Sequence, residues 1–192
     1  DMLMDRTNPL TRFHLDAEDA VLLIIDVQTK LMVAMEEQAR VCRNTGILLT
    51  AAQALNIPVV VTEQYPKGLG PTVPEVAGLL PPDVRMLEKS SFDAARDGLL
   101  PVLEELGRHS VMVCGTETHV CVYQTVRSLL EQDYKVFPIG DAICSRFPHN
   151  YQSGLALMDR MGACVLTAEG AAFDLLKVSG TPAFKTVSKA LK

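Results

Sequence analysis

Short, continuously apolar runs that alternate with longer helix-forming stretches restrict the fold of this chain more than any other feature. The first run, Ala20–Val27, reads AVLLIIDV, and the second, Val59–Glu63, reads VVVTE. Such runs are typical of strands that are buried on both faces of a parallel sheet. Residues 34–56, which lie between them, are rich in helix formers and are followed by the helix-breaking Pro58. This part of the chain therefore predicts a strand–helix–strand unit.

The same alternation continues along the chain and predicts an α/β domain built on a parallel sheet. Pro138 indicates the end of the fifth strand, and the density of Gly and Pro in Tyr65–Pro74 predicts a loop without regular structure. Thr167 is a candidate N-cap, and residues 182–192 are expected to form a short helix or an arm. The remaining predicted strands are Arg85–Lys89, His109–Cys114, Lys135–Ile139 and Ala163–Leu166, and the remaining predicted helices are Leu99–Leu106, Thr118–Gln132 and Tyr151–Met161.

The composition predicts one globular domain. Of the 192 residues, 48% are hydrophobic and 21% are charged, which is enough apolar material for one sizeable core. We expect a single domain over residues 1–192, with its core at about 20–176 and a C-terminal arm or helix at 177–192. The formal net charge of −5 disfavours nucleic acid as the main partner, because phosphate binding needs a concentrated basic patch. The longest apolar stretch, Ala20–Ile25, is far shorter than the roughly 20 residues that span a bilayer, so no membrane association is expected.

The cysteines and histidines do not form a recognisable metal or disulfide pattern. Five cysteines stand at positions 42, 114, 121, 144 and 164, without a Cys-x-x-Cys pair. An odd number argues against a disulfide framework, so we expect reduced thiols and a cytoplasmic protein. The four histidines are also scattered, whereas a zinc site needs clustered ligands. No metal and no cofactor are therefore expected.

Three side chains with complementary chemistry are expected at one edge of the sheet. Asp26 ends the first predicted strand, Lys89 ends the third, and Cys121 lies just past the fourth, in the first turn of a helix. Ligand sites in parallel sheets lie outside the carboxyl ends of the strands. A helix N-terminus and an ammonium both favour the reactive thiolate of a cysteine, and a carboxylate can accept the thiol proton. Each residue also has an ordinary structural interpretation, as a turn cap, a solvent-facing lysine or a core cysteine.

The segment around Cys121 reads GTETHVCVYQT and resembles the nucleophile segment of the isochorismatase-like cysteine hydrolases. Asp26–Gln28, Glu88–Phe92 and Gly140–Ala142 resemble further motifs of that family in the same order, and the likeness extends over about residues 20–176. The resemblance implies a three-layer α/β/α sandwich. It further implies a six-stranded parallel sheet in the order 3-2-1-4-5-6.

The resemblance also implies a role for each site residue. Cys121 would be the nucleophile, Asp26 the base that takes its proton, and Lys89 the charge that holds both in place. The backbone N–H groups of Glu117 and Cys121 would form the oxyanion hole, beside a cis peptide bond between Thr116 and Glu117. The expected reaction is hydrolysis of a small amide or a related C–N bond through a thioester. The candidates for contact with this small-molecule substrate are Gln28, Tyr65 and Phe92.

Within the family, Cys121 favours the amidohydrolase-like branch over the enzymes that cleave a vinyl ether without a cysteine. Nicotinamidases bind a metal through an Asp-x-His pair and a further histidine after strand two. This chain has Glu63–Pro66 there, and no histidine occurs between His14 and His109. A metal-independent hydrolase is therefore implied. Residues 62–75 resemble the branch of isochorismatase domain-containing proteins, and family members are commonly homo-oligomers.

Two other functions remain open. The chain is also compatible with a non-catalytic protein that binds a small carboxylic or amide metabolite on the same fold. Alternatively, it is a redox-responsive protein in which Cys121 is oxidised rather than acylated. His119 lies two residues from Cys121, and such residues point to different sides of a helix, so His119 is not expected to be its base.

Overall fold

A computed structural model of the chain describes Asp5 and residues 7–192. Within these residues, five parallel strands form one sheet in the order β3-β2-β1-β4-β5. The strands are β1 (Ala20–Ile25), β2 (Val59–Gln64), β3 (Arg85–Lys89), β4 (Ser110–Thr116) and β5 (Lys135–Cys144). The α-helices are α1 (Thr29–Met32), α2 (Gln38–Leu55), α3 (Pro66–Leu69), α4 (Pro74–Ala77), α5 (Leu99–Leu106), α6 (Tyr123–Glu131), α7 (Pro148–Arg160), α8 (Ala168–Leu176) and α9 (Pro182–Leu191). Single 3₁₀ turns lie at Thr11–Phe13, Ala17–Asp19 and Ala94–Asp97, and a π-helical turn lies at Thr118–Val122.

Helices cover both faces of the sheet. Leu22 and Ile24 of β1 face a core that contains side chains of α2, α8 and α9. Val21, Leu23 and Ile25 face the opposite core, which contains side chains of α5, α6 and α7. All five of these strand residues have 0% exposure. The unbroken apolar run of β1 therefore follows from burial on both faces, as the sequence predicts.

The prediction of a sixth strand at Ala163–Leu166 is wrong, because the sheet of the described residues has five strands. This segment makes one isolated parallel bridge to β5, between Ile139 and Leu166, and the Cys164 N–H also donates to the Val136 carbonyl oxygen at 2.9 Å. The next residue, Thr167, accepts a hydrogen bond from the Gly170 N–H and so caps α8, which confirms the predicted N-cap. The segment therefore follows β5 for a few residues without becoming a strand of the sheet, and α8 begins two residues after Leu166. The observed strand order is 3-2-1-4-5 instead of 3-2-1-4-5-6.

β5 is twice as long as predicted, since it continues past Ile139 to Cys144. Pro138 does not end the strand but lies within it, opposite Val113 of β4. The register between the two strands shifts between Val113 and Gly115. Proline lacks an N–H donor and is tolerated in strands at such irregularities. The extension carries the end of β5 to the edge of the sheet where the candidate site lies.

The loop predicted at Tyr65–Pro74 contains regular structure after all. α3 occupies Pro66–Leu69, and α4 begins at Pro74. Each of these helices starts with proline, whose fixed φ suits the first helical position. Proline loses no hydrogen bond there, because the N–H groups of the first turn have no acceptor within the helix. α2 begins at Gln38, four residues after the predicted start, and ends before Asn56, which adopts the left-handed conformation.

The end of the chain forms α9, one of the two predicted alternatives, and α9 packs against α2. None of the helices in the described part of the chain combines the length and the apolar character that crossing a bilayer requires. Residues 1–4 and 6, which the single-domain prediction also includes, lie outside the described residues.

Candidate active site

The carboxyl ends of three strands bring Asp26, Lys89 and Cys121 together. Asp26 follows β1, Lys89 is the last residue of β3, and Cys121 lies in the π-helical turn after β4. The Lys89 Nζ lies 2.8 Å from the Asp26 Oδ2, and the side chains of Lys89 and Asp26 are 0% and 1% exposed. The Cys121 thiol lies close enough to both of these groups for their charges to act on its pKa. The predicted convergence at the sheet edge is therefore present in the structure.

Asp26 is held by hydrogen bonds to both of its carboxylate oxygens. The Thr62 Oγ1 donates to Oδ1 at 2.8 Å, while Lys89 donates to Oδ2. The backbone of Asp26 has a φ of 52°, and the Thr116 Oγ1 donates to its carbonyl oxygen at 2.7 Å. This left-handed conformation is uncommon outside glycine, although aspartate tolerates it better than most residues. β1, β2 and β4 thus jointly determine where the carboxylate lies.

Close packing holds the turn that carries Cys121. At Gly154 of α7, an added Cβ would lie 2.8 Å from the Thr118 Cγ2 and 2.9 Å from the Thr118 carbonyl oxygen. At Gly115 of β4, where φ is 123°, an added Cβ would lie 1.9 Å from the Ile25 carbonyl oxygen. Both glycines therefore permit backbone approaches that any larger residue would prevent. They bring the Cys121 turn against α7 and the end of β4 against β1.

Cys121 is a neutral thiol in this arrangement. Its side chain lies in the core, with 7% exposure, and burial is the largest cause of a pKa raised from 9.0 to about 12. The Asp26 charge raises the pKa further, whereas Lys89 lowers it. The sequence features expected to favour a thiolate are therefore outweighed by desolvation and by the neighbouring carboxylate. Cys121 needs a base to lose its proton, and the Asp26 carboxylate is the neighbouring group that can accept it.

The segment before Cys121 contains a cis peptide bond between Thr116 and Glu117, at the position that the resemblance implies. The Glu117 side chain is turned toward the loop after β5. Its Oε2 accepts hydrogen bonds from the Arg146 backbone N–H at 2.9 Å and from the Arg146 Nε at 3.0 Å. The carboxylate thus ties the segment before Cys121 to the loop after β5.

The three candidates for substrate contact have different environments. Gln28 is 0% exposed, and its Nε2 donates to the carbonyl oxygens of Gln64 and Gly70, both at 2.9 Å. Its amide is therefore bonded to main-chain atoms. By contrast, Tyr65 and Phe92 are 60% and 54% exposed. Their rings lie on the loops that follow β2 and β3, at the same edge of the sheet as the candidate site.

The ring of His119 pairs with Ser145, whose Oγ lies 2.9 Å from the His119 Nδ1. The residue that sequence reasoning missed is Gln64, the last residue of β2. Its Oε1 accepts a hydrogen bond from the Lys89 Nζ at 2.6 Å. Its position offered a signal, since Gln64 is a polar residue at the end of a buried strand. Asp26 and Lys89 are candidates for the same reason, since they too are polar residues at strand ends.

The stretch where related enzymes bind a metal serves other purposes here. The Glu63 Oε2 accepts hydrogen bonds from the Thr72 N–H at 2.6 Å and the Thr72 Oγ1 at 2.8 Å, which ties β2 to the following loop. Among the residues described by the structure, no group of three or more His, Cys, Asp and Glu side chains is placed to hold a metal ion. A reaction without a metal stays a prediction.

Comparisons with known proteins identify chains and a structure that resemble this one. A family model described as the isochorismatase domain matches residues 20–170. A Phytophthora sojae protein named secreted isochorismatase effector Isc1 is 37% identical over 181 residues, which cover 90% of this chain and 84% of that protein. Isochorismatase domain-containing protein 2 of Danio rerio is 35% identical over 181 residues, covering 93% of this chain and 89% of the relative.

A solved structure described as MAR1 ribonuclease from Caenorhabditis elegans superposes with a TM-score of 0.88 at 32% identity. The match covers 93% of this chain and 92% of that one. The Phytophthora relative is described as secreted, so the cytoplasmic location expected from the cysteines stays a prediction.

Proposed function

The chain belongs to the isochorismatase family, whose members are generally hydrolases, and on that premise we propose that it hydrolyses a small amide or a related C–N bond through a thioester on Cys121. The observation that carries the proposal is the contact of the Cys121 thiol with the Asp26–Lys89 ion pair. A thiol, a base hydrogen-bonded to it and a third group that positions the base form the recurring arrangement of nucleophilic catalysis.

In the first half of the proposed reaction, Asp26 accepts the thiol proton as the Cys121 sulfur attacks the carbonyl carbon of the substrate. The oxyanion that forms is stabilised by the backbone N–H groups of Glu117 and Cys121, and one such donor is worth about 3 kcal/mol in other hydrolases. The C–N bond then breaks, and Asp26 returns its proton to the leaving amine. The remaining acyl group is bound to sulfur as a thioester.

In the second half, Asp26 accepts a proton from water as the water oxygen attacks the thioester carbonyl. The C–S bond breaks, the sulfur recovers the proton, and a carboxylic acid leaves. One amide and one water are consumed, and one acid and one amine are formed. The raised pKa of Cys121 supports this order of events, because a thiol that is protonated at rest needs the adjacent carboxylate in both halves.

The same protonation state bears on the alternative functions. Oxidation acts on the thiolate, so a resting thiol disfavours the redox-responsive protein. The ribonuclease description belongs to the nematode protein, and the net charge of −5 of this chain gives RNA binding no support. A non-catalytic protein that binds a small metabolite is the alternative that the experiment must separate from an enzyme.

The experiment is a screen of small amides in which intact-mass spectrometry detects a covalent acyl adduct and free amine reports turnover. We expect one or more amides to give an adduct on Cys121 and free amine. Both should be absent in Cys121→Ala, because the nucleophile is missing. Cys42→Ala is the matched control, since Cys42 is a partly buried cysteine outside the site. Undiminished hydrolysis by Cys121→Ala would refute the proposal, whereas binding without turnover would support the non-catalytic alternative.

The expected homo-oligomer also stays a proposal. It is tested by light scattering coupled to size-exclusion chromatography, where a mass of one chain, 20.9 kDa, would contradict it.

A further inference from the structure

The Lys89 ammonium has three N–H groups, and the structure gives it three acceptors. These are the Asp26 Oδ2 at 2.8 Å, the Gln64 Oε1 at 2.6 Å and the Ser91 carbonyl oxygen at 3.2 Å. The Lys89 side chain has 0% exposure, so water does not compete for these bonds. Of the three acceptors, Gln64 makes the shortest contact and belongs to a different strand from Lys89 and Asp26.

Gln64 lies beside Lys89 because the two residues are register partners in the β2–β3 ladder. The orientation of its amide follows from its neighbours. An ammonium can only donate, so the oxygen of the Gln64 amide must face Lys89. The Nε2 then donates to the Ser90 carbonyl oxygen at 2.9 Å. Both ends of the amide are therefore engaged in holding the Lys89 segment.

Gln28 in turn fixes the backbone of Gln64. The Gln28 Oε1 accepts from the Gln64 N–H at 2.7 Å, and the Gln28 Nε2 donates to the Gln64 carbonyl oxygen at 2.9 Å. The same Nε2 also donates to the Gly70 carbonyl oxygen, which ties in the loop after β2. Gln28 is 0% exposed and follows Asp26 by two residues. Gln28 and Gln64 thus connect the ends of β1 and β3 across β2.

We propose that Gln64 is a positioning residue of this site, which holds the Lys89 ammonium against Asp26 and Cys121, and that Gln28 fixes Gln64 rather than binding substrate. The inference rests on the proposed function, because it concerns the orientation of the same ion pair. Gln64 acts through Lys89 and does not contact the reacting atoms.

The neutrality of Gln64 is part of this role. Its amide oxygen accepts a hydrogen bond without adding a charge to the buried Asp26–Lys89 pair. A carboxylate at position 64 would form a second ion pair with the Lys89 ammonium. The ammonium would then stabilise negative charge on the Cys121 sulfur less strongly. The pKa of Cys121 would then rise above its present value, because a further anion opposes ionisation of the thiol.

The first test measures the Lys89 ammonium directly by nitrogen-15 NMR of lysine side chains, with the signal assigned by its loss in Lys89→Arg. A buried ammonium with three hydrogen bonds should exchange its protons slowly. Gln64→Met keeps the length of the side chain but removes the acceptor, so we expect exchange at Lys89 to become at least about tenfold faster. Lys135, which is also buried and donates to the His14 carbonyl oxygen, is the internal reference and should not change.

The second test measures alkylation of Cys121 by iodoacetamide at about pH 8, resolved by peptide mass spectrometry. Gln64→Glu should react at least about tenfold more slowly than the wild type, which corresponds to a pKa rise of one unit or more. Gln152→Glu adds the same charge at an exposed position of α7 and should react at the wild-type rate. Thermal unfolding of each variant, followed by circular dichroism, verifies that it is folded.

Unchanged exchange at Lys89 in Gln64→Met would overturn the proposal, whatever the reactivity of Cys121. Equal alkylation rates in Gln64→Glu and Gln152→Glu would overturn it as well. A wild-type protein that hydrolyses no amide but shows the expected change at Lys89 would instead contradict the proposed function. The two failures are therefore distinguishable.

Discussion

Replacing Asp26 with asparagine should increase the thiolate content of Cys121 while abolishing hydrolysis. In the wild-type protein, burial is the largest cause of the Cys121 pKa of about 12, and the Asp26 charge is the next. At about pH 8 such a thiol is ionised in roughly one molecule in 10,000. Asp26→Asn removes the carboxylate charge and leaves the Lys89 ammonium in place. The remaining charge next to the sulfur then favours the thiolate.

The size of the change follows from the electrostatics of the contact. Two unit charges about 4 Å apart interact by about 4 kcal/mol at an effective dielectric constant of about 20. This energy corresponds to about 3 pKa units, at about 1.36 kcal/mol per unit. Asp26→Asn should therefore bring the Cys121 pKa down toward about 9. The thiolate content at about pH 8 would rise by roughly 100- to 1000-fold.

Hydrolysis should change in the opposite direction. Asparagine cannot accept the thiol proton or return it to the leaving amine, and a positioned acid–base group typically contributes about 100- to 10,000-fold to the rate. With the amide identified by the screen, Asp26→Asn should therefore lose at least about 100-fold in turnover. More thiolate together with less catalysis is the signature of a base that also keeps its nucleophile protonated.

The assay is a pH titration of ultraviolet thiolate absorbance. The signal of Cys121 is obtained by subtracting the titration of Cys121→Ser in the wild-type background and in the Asp26→Asn background. The reasoning is refuted if Cys121 titrates at the same pH in both backgrounds, or at a higher pH in Asp26→Asn. Either result would mean that burial alone keeps the thiol protonated and that the carboxylate charge does not reach the sulfur.

The remaining predictions concern stability and the roles of Gly154 and Lys89. The pKa values of Cys114, Cys121 and Cys144 are all raised to about 12, mainly by burial, so the folded chain holds these protons where the unfolded chain loses them. The contribution of these three thiols to stability is present below about pH 9 and is lost as the pH rises toward about 12. Urea unfolding at about pH 8 and about pH 10 should therefore show a lower free energy of unfolding at the higher pH. Gly154→Ala should destabilise the fold by about 1–3 kcal/mol, because the new Cβ would lie 2.8 Å from the Thr118 Cγ2. Gly46→Ala is the control and should be close to neutral in the same unfolding experiment, because its Cβ would lie 3.3 Å from the flexible end of the Leu79 side chain. Equal effects of the two substitutions would contradict the packing argument. Lys89→Ala should slow alkylation of Cys121, because the ammonium that lowers the pKa of the thiol is removed, and an unchanged rate would exclude Lys89 from the proposed mechanism.

Local patterns in the sequence determined most of the architecture. The alternation of short runs with helix-forming stretches predicts all five strands. Four of them are mostly buried, as their apolar runs indicate, whereas β3 is partly exposed. α5 has the predicted bounds, Leu99–Leu106. The rule that sites lie at the carboxyl ends of parallel strands is sufficient to select Asp26, Lys89 and Cys121 from the sequence. These outcomes depend on periodicity and strand direction, which a sequence carries directly.

Other properties were decided only when distant segments packed together. Whether Ala163–Leu166 forms a strand depended on where α8 begins, and Pro138 could remain inside β5 because the register with β4 shifts nearby. The sequence makes Gln28 a candidate for substrate contact. In the structure, its amide is hydrogen-bonded to the backbone of Gln64 at the end of β2, which depends on the packing of β1 beside β2. The protonation state of Cys121 shows the difference most clearly. The predicted helix N-terminus and the Lys89 ammonium favour a thiolate. Burial and the carboxylate of Asp26 nevertheless keep the thiol neutral, because desolvation exists only in the folded core.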